Sequence, residues 1–119
     1  QAFAYAVLAL HGFQMAPLRS DDLWHDEEWT TRADSPRPLD LVLVNGTTDP
    51  YGAHVGLVVD ADRVLHLNKE FGRPLVWCWA DFSSRPRYSV VIGYKRPHRP
   101  RWQQMAVAEN PALVSTTGP

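Results

Sequence analysis

Apolar residues at helical spacing open the chain. Phe3, Val7, Leu8 and Leu10 recur within an Ala- and Leu-rich run from Gln1 to His11, and Gly12 follows as a stop signal. Pro17 and Leu18-Arg19-Ser20 form a connection. Ser20 is suited to cap a second short helix, with Asp21 and Asp22 in its first turn and Leu23, Trp24 and Trp29 as its apolar contacts. Residues 30–39, broken by Pro36 and Pro38, read as loop.

From Asp40 the period shortens. Leu41-Val42-Leu43-Val44 is an apolar, β-branched run ended by Asn45-Gly46. Further strands are expected over residues 54–59, 63–68, 75–79 and 88–94. Two helices followed by about five mostly sequential strands predict an α+β domain with a meandering antiparallel sheet. After Lys95 the run Arg96-Pro97-His98-Arg99-Pro100-Arg101 is basic and broken by proline, as an exposed linker would be. One more short helix is expected over residues 102–109, then a loose end. The expected division is therefore a domain over residues 1–95 and an extension over residues 96–119.

A length of 119 residues fits one core. A net charge of −1 gives no electrostatic reason to expect a nucleic-acid partner. No apolar run reaches the roughly 18 to 20 residues that span a bilayer. The single cysteine, Cys78, excludes an intrachain disulfide and a Cys-rich zinc site. Lying between Trp77 and Trp79, it is expected to be an inert thiol. The first helix begins at residue 1 with no capping side chain before it, so the start is expected to be a cut.

The most informative segment is Ala53-His54-Val55-Gly56-Leu57-Val58-Val59-Asp60-Ala61-Asp62-Arg63-Val64-Leu65-His66. If Asp60 to Asp62 is a three-residue hairpin loop, Val59 faces Arg63, Gly56 faces His66 and His54 faces Asn68. His54, Gly56, Val58, Val64, His66 and Asn68 then share one face, and Val55, Leu57, Val59, Leu65 and Leu67 share the other. The two histidines come within reach on neighbouring strands, with Gly56 leaving space between them. A two-residue loop would put them on opposite faces. Paired, one imidazole serves as general base while the second fixes its tautomer. Unpaired, both are ordinary structural residues.

These motifs resemble the NlpC/P60 domains, a papain-like family of cysteine hydrolases. Pro38-Leu39-Asp40-Leu41-Val42-Leu43-Val44 is similar to the family's "PGDLVFF" strand. Ala53-His54-Val55-Gly56-Leu57-Val58 resembles "HVGIY", which carries the catalytic histidine. Val64-Leu65-His66-Leu67 resembles "FIHA", which carries the third polar residue. Gly12-Phe13 and Pro17-Leu18-Arg19-Ser20 are similar to the segment after the family's nucleophile helix. The likeness covers roughly residues 1 to 95. It departs at Leu39, where Gly is usual, and at Val58, where an aromatic residue is common.

The resemblance implies a papain-like fold and His54 and His66 as catalytic residues. The nucleophilic cysteine would stand about two residues before Gln1, where free N–H groups and the helix dipole favour a thiolate. It implies a peptidoglycan stem peptide as substrate, often cut at a D-Glu to diaminopimelate bond, no cofactor, and a secreted, periplasmic, cell-wall-associated or injected protein. An inhibitor or immunity protein, or a missing N-terminal segment, is the further partner expected. Arg19, Ser20, Trp24, Asp40 and Asn68 are candidates for substrate binding, although Asp40 serves the fold equally well and tryptophans belong to cores by default. His25-Asp26-Glu27-Glu28 is read as a solvated face, with no metal. A non-catalytic binding module and an acyltransferase-type relative remain as alternatives.

Overall fold

The computed structural model describes residues 1–99. The order of elements is α1 (Ala2–Leu10), α2 (Ser20–His25), β1 (Thr30–Ala33), β2 (Leu41–Asn45), β3 (His54–Val58), β4 (Arg63–Asn68), β5 (Arg73–Cys78), α3 (Trp79–Ser83), a 3-10 turn (Pro86–Tyr88) and β6 (Val90–Pro97). The six strands form one sheet in the order β1-β6-β2-β3-β4-β5, with every described pairing antiparallel. The chain is therefore α+β. The expected meander holds from β2 to β5. The last strand instead returns to pair with β2, and the sixth strand, β1, comes from residues read as loop.

β2 is the axis of the molecule. Its side chains alternate, yet Leu41 to Val44 are all buried, because both faces of the sheet are covered. Leu41 and Leu43 join Val55 and Leu57 against Ala4 and Leu8 of α1 and Leu23 of α2. Val42 and Val44 join Val58, Val64 and Trp77 against Phe82 of α3 and Tyr88. Farther out on the first face, Val59 and Leu67 are exposed, so the apolar stripe expected there is only partly covered.

The boundary expected at residue 95 falls inside β6, because the basic residues there have partners. Lys95 is buried and its Nζ donates to the carbonyls of Trp24 at 3.2 Å and Asp26 at 2.5 Å, at the end of α2. Arg96 donates through Nε and Nη2 to the two carboxylate oxygens of Asp40, at 2.9 and 2.8 Å. His98 bonds Thr31 through its ring and Trp29 through its backbone N–H. The helix expected over residues 102–109 lies outside the described residues.

Leu39 has φ +74°, in the left-handed region that favours glycine. The cause is local: its N–H donates to the Val58 carbonyl at 2.8 Å, and the Asp40 carbonyl accepts from the Val58 N–H at 2.8 Å. Both bonds prolong the β2–β3 ladder past the bend. Leu39→Gly is therefore expected to be more stable than Leu39→Ala by about 1 kcal/mol in urea unfolding, although it is the smaller side chain. The opposite order would mean that the bend relaxes once the leucine is gone.

Candidate functional site

The hairpin between β3 and β4 sets the geometry. Leu57 pairs with Leu65 and Val58 with Val64, and the Val59 N–H donates to the Arg63 carbonyl at 2.9 Å. This is the register of a three-residue loop, tightened by the Asp62 N–H on Asp60 Oδ1 and the Arg63–Asp60 ion pair. His54 and His66 accordingly project from the same face. His54 Nε2 and His66 Nδ1 lie 3.0 Å apart, with the rings nearly perpendicular at 84°. The space beside Gly56 is not a gap between the rings. A Cβ there would meet Val64 Cγ1 at 2.6 Å and Val42 Cγ1 at 3.4 Å, so glycine lets β2 and β4 side chains close over β3.

Aromatic rings box the pair in. Trp77 lies 4.2 Å and Phe82 5.0 Å from the His66 ring, and Tyr88 tilts over His54 at 5.0 Å. His66 is 0% exposed, and its Nε2 has no hydrogen-bond partner among the described residues. A bare lone pair facing π-electron density is repelled, whereas an N–H facing it is weakly attracted. The proton therefore belongs on His66 Nε2. His66 Nδ1 is then an acceptor, and His54 Nε2–H donates to it. His54 Nδ1 is left with its lone pair and with no hydrogen bond among the described residues.

His54 opens onto a pocket of about 310 Å³, also lined by Gln1, Asn45, Gly52, Lys69, Arg87 and Tyr88. The first residue of the chain thus shares a pocket with His54. Burial first, then the neighbouring His66, the α-amino group of Gln1 and the cations Lys69 and Arg87, push the His54 pKa down to about 4. Burial, then Arg85, lowers His66 to about 4, against the opposing Asp81. Both rings are neutral near pH 7.

The other expected site residues lie elsewhere. Asp40 is 1% exposed and held by Arg96 and the Arg37 N–H, so it locks a loop to β6 and has no free carboxylate to offer a substrate amine. Ser20 is buried, with its hydroxyl donating to the Pro50 carbonyl at 2.7 Å, and Arg19, not Ser20, is the N-cap of α2. Arg19 is exposed outside the pocket's lining. Trp24 lies over Gly93 on the α1 side of the sheet, with the Arg32 guanidinium 4.0 Å from its ring. Asn68 is buried and turns the chain from β4 to β5, accepting from the Phe71 N–H at 2.9 Å. Asp26, read as part of a solvated face, accepts from Trp29, Thr30 and the Thr30 hydroxyl and builds the turn into β1.

Cys78 also differs from expectation. It is exposed and caps α3, its Sγ 3.2 Å from Asp81 Oδ2, and it does not line the His54 pocket. Tyr88, Lys69 and Arg87 were not legible as site residues, since each lies in or beside a turn and no local pattern links them. No family model, curated protein or solved structure matches this chain. Among the described residues, no helix is long and apolar enough to cross a membrane.

The neutral pair carries a pH signature. Both folded pKa values lie below the unfolded value of about 6.5, so the unfolded chain takes up more protons on acidification. That contribution to stability is complete above about pH 6.5 and is lost as pH falls toward 4. A loss on the order of 2 kcal/mol between pH 7 and 5, after discounting for solvent screening, is expected in urea unfolding. A flat profile over that range would show that the rings titrate as if exposed.

Proposed function

We propose that the chain is the bulk of a papain-like, NlpC/P60-type cysteine hydrolase that cleaves peptidoglycan stem peptides outside the cytoplasm, with its nucleophilic cysteine just upstream of Gln1. One observation carries the reading: His54, hydrogen-bonded to the buried His66, lines the pocket that Gln1, the N-cap of α1, also lines. The resemblance puts the nucleophile at that end of that helix. Leu39 adds support, because the residue that departs from the family's glycine still has a glycine-like backbone.

The chemistry follows from the tautomer. The free Nδ1 of His54 takes the thiol proton, and the thiolate attacks the amide carbonyl carbon. The oxyanion is stabilised by unpaired N–H groups in the first turn of α1. Collapse breaks the C–N bond, and His54 returns its proton to the departing amine. A water molecule, deprotonated by His54, then hydrolyses the thioester and restores the thiol. His66 is a positioning residue. It accepts the His54 Nε2 proton and thereby keeps Nδ1 facing the pocket.

A second reading, peptide or cell-wall binding without turnover, draws on one fact: Cys78, the only thiol in the 119 residues, lies outside the pocket's lining. Full-length protein containing the upstream residues separates the two when incubated with muropeptides. Cleavage is expected, with His54→Ala lowering kcat by about 10²–10⁴-fold and leaving the circular dichroism spectrum unchanged. His66→Ala should lower kcat less, with His66→Asn restoring part of it. Full turnover in His54→Ala, or muropeptide binding with no cleavage by the wild type, would overturn the hydrolase reading.

A further inference from the structure

Two cationic side chains border the His54 pocket, and no carboxylate does among the described residues. Lys69 and Arg87 are both in its lining, which contains no Asp or Glu. This departs from the surface at large, since the chain carries 13 acidic and 12 basic residues. The groove around Trp24 shows the ordinary mixture, with Asp26 and Glu27 beside Arg32 and Lys95. Neither Lys69 nor Arg87 is ion-paired among the described residues, where the salt bridges are Arg63–Asp60 and Arg96–Asp40.

Both cations are held by the architecture that holds the histidines. Lys69 follows Asn68 into the turn that Asn68 Oδ1 and the Gly72 N–H on the Asn68 carbonyl tighten. Arg87 lies in the 3-10 turn, its guanidinium 5.4 Å from the ring of Tyr88, which in turn lies against His54. Arg87 and His54 thus both lie against the ring of Tyr88. Lys69 and Arg87 line the same pocket as the His54 ring. Two cationic side chains without an ion pair, in a lining that holds no carboxylate among the described residues, fit an oxygen anion, and the α-amino group of Gln1 lies in the same lining.

We propose that Lys69 and Arg87 form an anion subsite beside His54, selecting a ligand that carries a carboxylate or phosphate group. On the hydrolase reading, on which this part rests, that group lies next to the scissile amide. The subsite steers anionic substrates into the pocket and disfavours amidated or cationic ones.

The test begins without catalysis. The 119-residue chain, labelled with ¹⁵N, is titrated with inorganic phosphate and separately with glutarate, following the amides of Ala53, His54 and Val55. Saturable shifts with at least one probe are expected, and the stronger one identifies the anion class. Binding should weaken by about tenfold or more in the Lys69→Ala, Arg87→Ala double variant, and stay within about twofold in Arg63→Ala, whose cation lies on the distant hairpin loop. Absence of saturable shifts, or equal binding by the double variant with an unchanged melting curve, overturns the proposal.

The second arm uses full-length protein and a peptide offered with a free carboxylate or as its amide. The double variant should lose the KM preference for the acid. Anion binding with no cleavage of either peptide would defeat the hydrolase reading and leave the subsite standing. Cleavage with the acid preference intact in the double variant would defeat the subsite alone.

Discussion

A single hydrogen bond between two uncharged imidazoles organises this molecule. Placing a titratable ring at 0% exposure among Trp77 and Phe82 is costly if the ring is charged, and costly again if neither nitrogen finds a partner. The bond from His54 Nε2 to His66 Nδ1 answers both demands, with both rings neutral near pH 7. It is available in only one strand register. A slip of one residue would turn one ring out of the aromatic box and leave the other buried alone. The three-residue loop, Gly56 and the interlocked valines of β2 and β4 all enforce that register.

The rest of the fold positions this bond. β2, buried on both faces, allows α1 to pack on one side of the sheet while the aromatic box closes the other. Gln1, the N-cap of α1, and the ring of His54 share one pocket. At the opposite edge, Lys95 and Arg96 tie β6 to the end of α2 and to the loop before β2. The candidate active centre and the structural polar network are thus separate. Asp40 belongs to the second.

Much of this was legible along the chain, and the failures share a cause. Strands β2 to β5 follow from alternation and turn residues, which are local signals, whereas the β3–β4 register was one of two that the turn allowed, and the structure selects the one that pairs His54 with His66. β1 and the return of β6 to β2 depend on partners far apart in sequence, as in Thr31 with Arg96 and Leu41 with Lys95, and no local period encodes them. A run of Lys, Arg and Pro reads as a linker only while its acceptors, such as Asp40 and the Trp24 carbonyl, are unknown. Lys69, Arg87 and Tyr88 escaped for the same reason, since turns distant in sequence bring them together. Leu39 is the converse case. A leucine with nothing in its sequence to mark it has a backbone in the left-handed region that favours glycine.

The most direct test of the central claim is a ¹⁵N spectrum of histidine-labelled protein recorded through imidazole long-range couplings while pH is lowered from 7. The account predicts that both rings stay neutral to about pH 5, each protonated at Nε2, with the His54 Nε2 proton shifted downfield by its bond to His66. Either ring titrating near its ordinary value of about 6.5, or His66 carrying its proton on Nδ1, would contradict it.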